Sequence, residues 1–313
     1  MFRIGVDVGG TGIQFGVLDE KLNILSEYSI PTVTSDPFSN QVGRIVDGVL
    51  AVTAQAGLSK DKISSVGVGI PGIANQNTGE VIFCTNMGWS HVPFGEEFRQ
   101  RLDIPVRIEN DANVAALAES VAGISKGTSS SVFITIGTGI GSGIIINGKI
   151  WGGAHGIGGE LGHVIFDLNG YPCTCGNHGC LERYCSATAL IRMAREAIAR
   201  HPDTLMLKMV SNDITKVEAR TVIDAAREED PLAVEVYATY IDYLAQAVAN
   251  IVNLLDPEVI VIGGGVSKAG SFLIDPLRRR YTKYVLYNDQ TMPKIKLAVC
   301  GAKAGIIGAA MLS

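Results

Sequence analysis

Charge is scarce in this sequence, and none of it is gathered into a run. Only 18% of the 313 residues are Asp, Glu, Lys or Arg, against about 25% in an ordinary soluble protein. The longest basic stretch is Arg278-Arg279-Arg280 and the net charge is -5, so there is no electrostatic footprint for nucleic acid or an anionic membrane. Long apolar runs are also missing. The longest uncharged window, residues 127 to 148, holds eight apolar residues and six glycines among 22, whereas a membrane span needs about 20 predominantly apolar residues. No charged-then-apolar leader follows Met1, so no secretion signal is read and a cytoplasmic location is expected. In that reducing compartment Cys84, Cys173, Cys175, Cys180, Cys185 and Cys300 are expected as thiols, and clustering among them points to metal rather than disulfides.

What the chain has in excess is glycine: 37 residues, about 12%, against a usual ~7%. There is no collagen period and no low-complexity tract, so the excess implies positions where the backbone turns with positive φ or approaches something closely. With 47% apolar residues, a chain of this length buries about three quarters of its unfolded surface, and roughly two domains are expected.

Residues 4 to 19 read as strand, glycine turn, strand, and residues 131 to 147 repeat the design. Two such hairpins, each followed by a further strand and helical stretches, predict a duplicated α/β unit: two similar lobes with a cleft between them. The expected division is 1–120 and 121–313, with the last helix, Gly301 to Leu312, packing back on the first lobe. Ile63 to Pro71 and Val106 to Asp111 read as strands, and Asn113 to Ala122 as a small-residue helix. Ser186 caps a helix to about Arg200, Pro231 opens a long helix to Leu255, and Val259 to Ile262 is a strand running into Gly263-Gly264-Gly265. Residues 203 to 220 are polar and weakly patterned, and receive no assignment.

Three glycine turns carry chemistry. Asp7-Val8-Gly9-Gly10-Thr11 sets a carboxylate at a strand end, then bare backbone N–H groups that form an anion nest, then a hydroxyl. An acidic residue at such a nest can hold the magnesium that accompanies a nucleotide. Gly137-Thr138-Gly139 repeats the device without the carboxylate, and Gly264-Gly265 offers a third backbone surface. No Gly-Lys-Ser/Thr follows, so this is not a Walker loop. The first turn returns into a strand where a dinucleotide-binding unit would start a helix.

His163, Cys173, Cys175 and Cys180 make three thiolates and one imidazole, the composition of a closed structural zinc site, with His178 as an alternative fourth ligand. Such a site has no open position for Lewis-acid work. Its role is to fix the loop carrying Glu160, His163 and Glu182. Glu109-Asn110-Asp111 ends a strand with acid and amide groups; either Asn110 or Asp111 suits a helix N-cap, and Asp111 is the candidate general base. Asn86 and Gly72 lie in loops able to line the same pocket, and Trp89 reads as core.

Taken together, Asp7-Val-Gly-Gly-Thr11, Glu109-Asn-Asp111, the 136–143 turn, Glu160-Leu-Gly-His163 and Cys173-x-Cys-Gly-x-x-Gly-Cys-x-Glu182 resemble the ROK family of sugar kinases and sugar-responsive repressors. The resemblance spans essentially the whole chain. It implies the duplicated ribonuclease-H-like fold of hexokinase and actin, ATP and magnesium as cosubstrate and cofactor, a structural zinc, and a homodimer or homotetramer. It makes Asp111 the base for the sugar 6-hydroxyl, with Gly72, Asn86, Asn110, Glu160, His163 and Glu182 around the sugar. Asp7, Gly9, Gly10, Thr11, Gly137, Thr138 and Gly139 would handle magnesium and phosphates, and Gly264 and Gly265 the adenosine. Gln14 stands where several members carry lysine. The implied reaction is ATP-dependent phosphorylation of glucose. The alternatives are another hexose (fructose, mannose, allose) or an N-acylhexosamine as acceptor, or a non-catalytic sugar-binding regulator. A repressor needs a DNA-reading module ahead of the first hairpin, and the hairpin already begins at Ile4.

Overall fold

The computed structural model describes residues 1–312. The first half runs β1 (Phe2–Val8), β2 (Gly12–Leu18), β3 (Ile24–Pro31), α1 (Phe38–Gln55) and β4 (Ile63–Ile70). It continues with β5 (Ile73–Asn75), β6 (Glu80–Cys84), β7 (Trp89–Val92), α2 (Phe94–Arg101), β8 (Val106–Asn110) and α3 (Asp111–Val121). The second runs β9 (Ser130–Ile136), β10 (Ile140–Ile146), β11 (Lys149–Ile150), α4 (Glu182–Cys185), α5 (Ala187–Arg200) and α6 (Leu205–Met209). After these come α7 (Ala219–Arg227), α8 (Pro231–Leu255), β12 (Val259–Gly263), α9 (Ser271–Arg280), β13 (Lys294–Leu297) and α10 (Ala304–Ala310).

The duplication is explicit in the strand order. One five-stranded sheet runs β3-β2-β1-β4-β8 and the other β11-β10-β9-β12-β13. Position for position, a hairpin meander supplies three strands and two crossover strands extend the sheet in parallel from the first. Strands β5, β6 and β7 form a separate antiparallel sheet.

The chain divides into two compact units: residues 1–129, 143–159 and 299 onward form one, and residues 130–142 with 160–298 the other. The first unit thus runs past residue 120 to residue 129, takes back residues 143–159 from within β10, and includes α10. The physical reason for the second return lies in a row of glycines. Gly5 of β1 pairs with Gly16 of β2 on one side and with Gly67 of β4 on the other. A Cβ at Gly5 would lie 1.9 Å from the Ile306 carbonyl oxygen, one at Gly16 2.4 Å from Ile306 Cγ2, and one at Gly67 1.7 Å from the Ala309 carbonyl oxygen. Helix α10 therefore sits on bare backbone. Gly308 does the reciprocal job on the helix side, against the Val114 carbonyl of α3.

Helix starts follow side-chain capping. The Asn110 side chain accepts from the backbone N–H groups of Ala112 and Asn113, so α3 begins at Asp111, two residues ahead of the expected start. Ser186 caps α5 through Ala189, and Asp230 caps α8 through Ala233 with Pro231 in the first turn. The polar stretch 203–220 is not loop throughout. Thr204 caps α6, and the Glu218 N–H donates to Thr221 Oγ1 (3.2 Å) at the start of α7, so its polar residues serve helix ends. Trp89 is buried and donates to Gln41 Oε1. Among the described residues, no helix is long and apolar enough to cross a membrane.

Candidate active site

In the first unit, β1 delivers Asp7 to the edge of the first glycine turn. Gly9 N–H donates to the Gly12 carbonyl (2.9 Å), while Thr32 binds the far side through Oγ1 to Gly9 O (2.7 Å) and N–H to Thr11 O (3.2 Å). Gly10 and Thr11 are exposed. None of Gly9, Gly10, Gly137 or Gly139 has a positive φ. These glycines serve close approach: a Cβ at Gly9 would meet Gly12 O at 2.9 Å, and one at Gly10 would meet Asn86 Nδ2 at 3.3 Å. Burial pushes the Asp7 carboxyl above its ordinary value, and Gly305 of α10 makes the room for it, since a Cβ there would lie 2.3 Å from Asp7 Oδ2. Gly305 belongs to the last helix, where glycine is expected to allow close packing, and the group it packs against is a carboxylate nearly the whole chain away.

At the end of β8, Asn110 Nδ2 donates to the Gly72 carbonyl (3.1 Å), joining two of the expected sugar residues. Asp111 follows at the exposed first position of α3, its Oδ1 accepting from the Ala112 N–H (2.8 Å). The motif's remaining carboxylate, Glu109, is buried; its Oε1 accepts from the Asn110 N–H (2.8 Å) and from Asn113 Nδ2 (3.0 Å), and desolvation raises its carboxyl. Asn86 sits exposed beside Gly10. The first unit thus carries Asp7, Gly9, Gly10, Thr11, Gly72, Asn86, Asn110 and Asp111.

The second unit carries the others. The second glycine turn is closed by Gly137 N–H to Gly139 O (3.0 Å), and the start of α5 clamps it through Ala187 N–H to Gly137 O (2.9 Å) and Thr188 Oγ1 to Thr138 O (2.7 Å). Gly264, at φ +84°, packs its Cα where a Cβ would meet Ile136 O at 2.5 Å, so the third turn lies against the root of the second. Gly137, Thr138 and Gly265 line one cavity of about 700 Å³, together with the apolar Ile191 of α5, Ile223 of α7 and Val266, the carboxylates Glu218 and Asp224, and the cations Arg220, Arg227 and Lys268. The α7 wall was invisible in the sequence reading; the signal is the apolar run Val222, Ile223, Ala225, Ala226, all buried.

His163, Cys173, Cys175 and Cys180 converge, one ligand atom from each lying within 4.8 Å of all the rest. Cys175 and Cys180 sulfurs are 3.5 Å apart, and Cys173 Sγ is 3.8 Å from His163 Nδ1. Tetrahedral zinc with bonds of about 2.3 Å sets sulfur neighbours roughly 3.7 Å apart, so donor chemistry and spacing both suit that ion. The Asn177 backbone N–H holds the Cys175 thiol down to about 7. Loop backbone closes around the set: Gly179 N–H donates to Tyr171 O (2.8 Å), and a Cβ at Gly179 would lie 1.5 Å from Asp167 O. Glu182 joins this cluster to the second turn, with Oε1 3.0 Å from Cys173 Sγ and Oε2 where a Cβ on Gly139 would meet it at 2.6 Å. Glu160 is exposed and precedes the single turn Leu161–His163, which is pinned to β10 by Leu161 N–H to Ser142 Oγ (3.1 Å).

The comparisons agree with one another. The ROK family profile matches residues 3–313. A protein named glucokinase from Halalkalibacterium halodurans is 36% identical over 310 residues, 99% of this chain and 94% of its own length. A ROK family glucokinase from Streptomyces griseus, solved in complex with glucose and AMPPNP, superposes with a TM-score of 0.81 at 33% identity, covering 100% of this chain and 99% of that one. The ROK hexokinase from Thermus thermophilus superposes with a TM-score of 0.85 at 31% identity, covering 99% and 97%. This chain, with its duplicated hexokinase-type α/β fold, belongs to the ROK family.

Proposed function

We propose that this protein is an ATP-dependent glucokinase that transfers the γ-phosphoryl group to the 6-hydroxyl of glucose. The observation that carries the reading is the cavity of about 700 Å³ lined by the second and third glycine turns, where apolar side chains (Ile191, Ile223, Val266) stand among charged ones of both signs (Glu218, Asp224, Arg220, Arg227, Lys268), a mixture that suits a nucleoside with its phosphates. The relatives named glucokinase supply the acceptor. In this reading Gly264 and Gly265 face adenosine, while Gly9, Gly10, Thr11, Gly137, Thr138 and Gly139 receive phosphates on backbone N–H groups. Asp7 holds magnesium, which offsets the desolvation of its buried carboxyl. Asp111 orients the 6-hydroxyl and accepts its proton, and Gly72, Asn86, Asn110, Glu160, His163 and Glu182 hold the remaining hydroxyls. Positioning and charge stabilisation do most of the work in such a transfer.

The test is ADP formation with ATP and a panel of glucose, fructose, mannose, allose and N-acylhexosamines. Glucose is expected to give the highest kcat/KM; preference for an acylated hexosamine overturns the acceptor assignment, and no turnover with any sugar overturns the kinase. Gly265→Val adds the nucleotide arm. A Cβ at Gly265 meets nothing within 4 Å and its φ is ordinary, so the fold tolerates the change while the branched side chain fills the nucleoside cavity. KM for ATP is expected to rise about tenfold with KM for glucose unchanged, the loss of roughly 1.4 kcal/mol of binding.

Zinc is proposed on His163, Cys173, Cys175 and Cys180, where four protein ligands leave it a purely structural task. Elemental analysis is expected to find about one zinc per chain, and Cys175→Ser to release it and lower the melting temperature. Protein without zinc, or a Cys175→Ser variant of unchanged stability, removes the metal from the reading. Assembly into a homodimer or homotetramer is part of the same proposal, read out by light scattering.

A further inference from the structure

Glu119, near the end of α3, is 1% exposed and carries three backbone hydrogen bonds that nothing in the proposed chemistry uses. Its Oε1 accepts from the N–H groups of Val299 and Cys300, both at 2.8 Å and some 180 residues away in sequence. Its Oε2 accepts from the Ile124 N–H at 2.9 Å. The turn after α3 is shaped around this carboxylate, since a Cβ at Gly123 would lie 2.1 Å from Oε2. The two segments it grips lie near two of the four points where the chain passes between the units: Ile124 shortly before the first exit, after residue 129, and Val299 and Cys300 at the last return.

Burying a carboxylate costs several kcal/mol unless hydrogen bonds satisfy it. Three N–H donors converging on two oxygens call for a side chain that offers two acceptor oxygens, which means a carboxylate. Glutamine has the same shape but would turn an NH₂ toward a backbone N–H. An apolar residue would fill the space without the desolvation cost, but it could not tie these segments together.

We infer that Glu119 is a positioning residue: it locks the far end of α3 to the segments at residue 124 and at residues 299–300, and so fixes the helix whose first residue is Asp111. The inference rests on the proposed reading of Asp111. Glu119 lies eight positions along the helix from Asp111, an axial rise of about 12 Å at 1.5 Å per residue, and a rigid helix transmits a tilt at one end to the other. Misplacement of a reacting group by about 1 Å costs up to 10²-fold in rate.

The experiment compares the full-length wild type with Glu119→Gln, by steady-state kinetics and by amide hydrogen exchange. The variant is expected to lose about tenfold in kcat while KM for ATP stays within about twofold. In exchange, Ile124, Val299 and Cys300 are expected to lose protection together with Ala112 and Asn113 in the first turn of α3. Loss confined to residues 124, 299 and 300 overturns the inference whatever happens to kcat, because Glu119 is then a local loop anchor; so does an unchanged kcat. If Glu119→Gln does not fold, Glu119→Asp, one methylene shorter, is judged by the same two criteria. Wild type inactive on every sugar refutes the kinase reading and leaves the exchange criterion standing, so the two failures are distinguishable.

Discussion

Asp111→Ala is expected to lower glucose-dependent ADP formation by about 10²–10⁴-fold, the usual contribution of a positioned acid or base, with little loss of stability. The structure separates these two effects unusually well. Asn110, not Asp111, caps α3: its side chain accepts from both Ala112 and Asn113. Asp111 occupies the exposed first helical position, and the Ala112 N–H that its Oδ1 accepts from also serves Asn110. Removing the carboxylate therefore leaves the Asn110 cap in place. Asp111→Asn is the matching control, since it keeps shape and removes basicity. Near-normal turnover in either variant, measured by coupled ADP release, sinks the assignment of Asp111. A parallel loss of melting temperature and activity points instead to a structural role.

That separation also shows what can be read from a sequence at this site. Glu109-Asn110-Asp111 admits either Asn110 or Asp111 as helix cap, and spacing alone does not choose, because the decision depends on side-chain direction at a strand end. The three residues turn out to divide the labour: Glu109 is buried beneath the turn, Asn110 caps and bridges to Gly72, and Asp111 stands exposed. The cysteine cluster was the more legible motif. Its cysteines lie close in sequence, so the glycines that let the loop close, Gly176 and Gly179, sit between the proposed ligands themselves. The cavity proposed for the nucleoside was half legible. Its glycine turns follow strands with clear apolar signals, while its other wall belongs to α7, whose start is masked by polar capping residues.

The duplicated architecture was legible because both hairpins repeat one pattern of apolar strand, glycine turn and apolar strand, and a local pattern needs no knowledge of tertiary contacts. The glycine excess was not, since the same residue serves unrelated needs. Gly264, Gly176 and Gly179 have positive φ, Gly9 and Gly10 do not, and Gly5, Gly16 and Gly67 lie inside strands. Only register places the last three side by side. In sequence they are scattered over 60 residues and read as ordinary weak points in strands.

Gly67→Ala is accordingly expected to be the most destabilising single methyl that can be added to the first sheet. The new Cβ would lie 1.7 Å from the Ala309 carbonyl oxygen and 2.6 Å from its carbon. Both are backbone atoms of α10, so no rotamer change relieves the overlap, and the helix itself must lift. Lifting α10 opens the contacts of Gly5 and Gly16 with Ile306 and of Gly308 with Val114, and it withdraws Gly305 from the Asp7 carboxylate. Overpacking of a core usually costs 1–3 kcal/mol; with a whole helix displaced, about 3 kcal/mol or more is expected, and a fall in melting temperature on the order of 10 °C. The same displacement reaches chemistry, because Asp7 is the proposed magnesium ligand: KM for ATP is expected to rise even at temperatures where the variant is folded. Calorimetry and nucleotide titration of Gly67→Ala check both. A variant as stable as wild type would mean that α10 does not sit on the glycine row. A destabilised variant with normal ATP affinity would keep the packing and separate Asp7 from it.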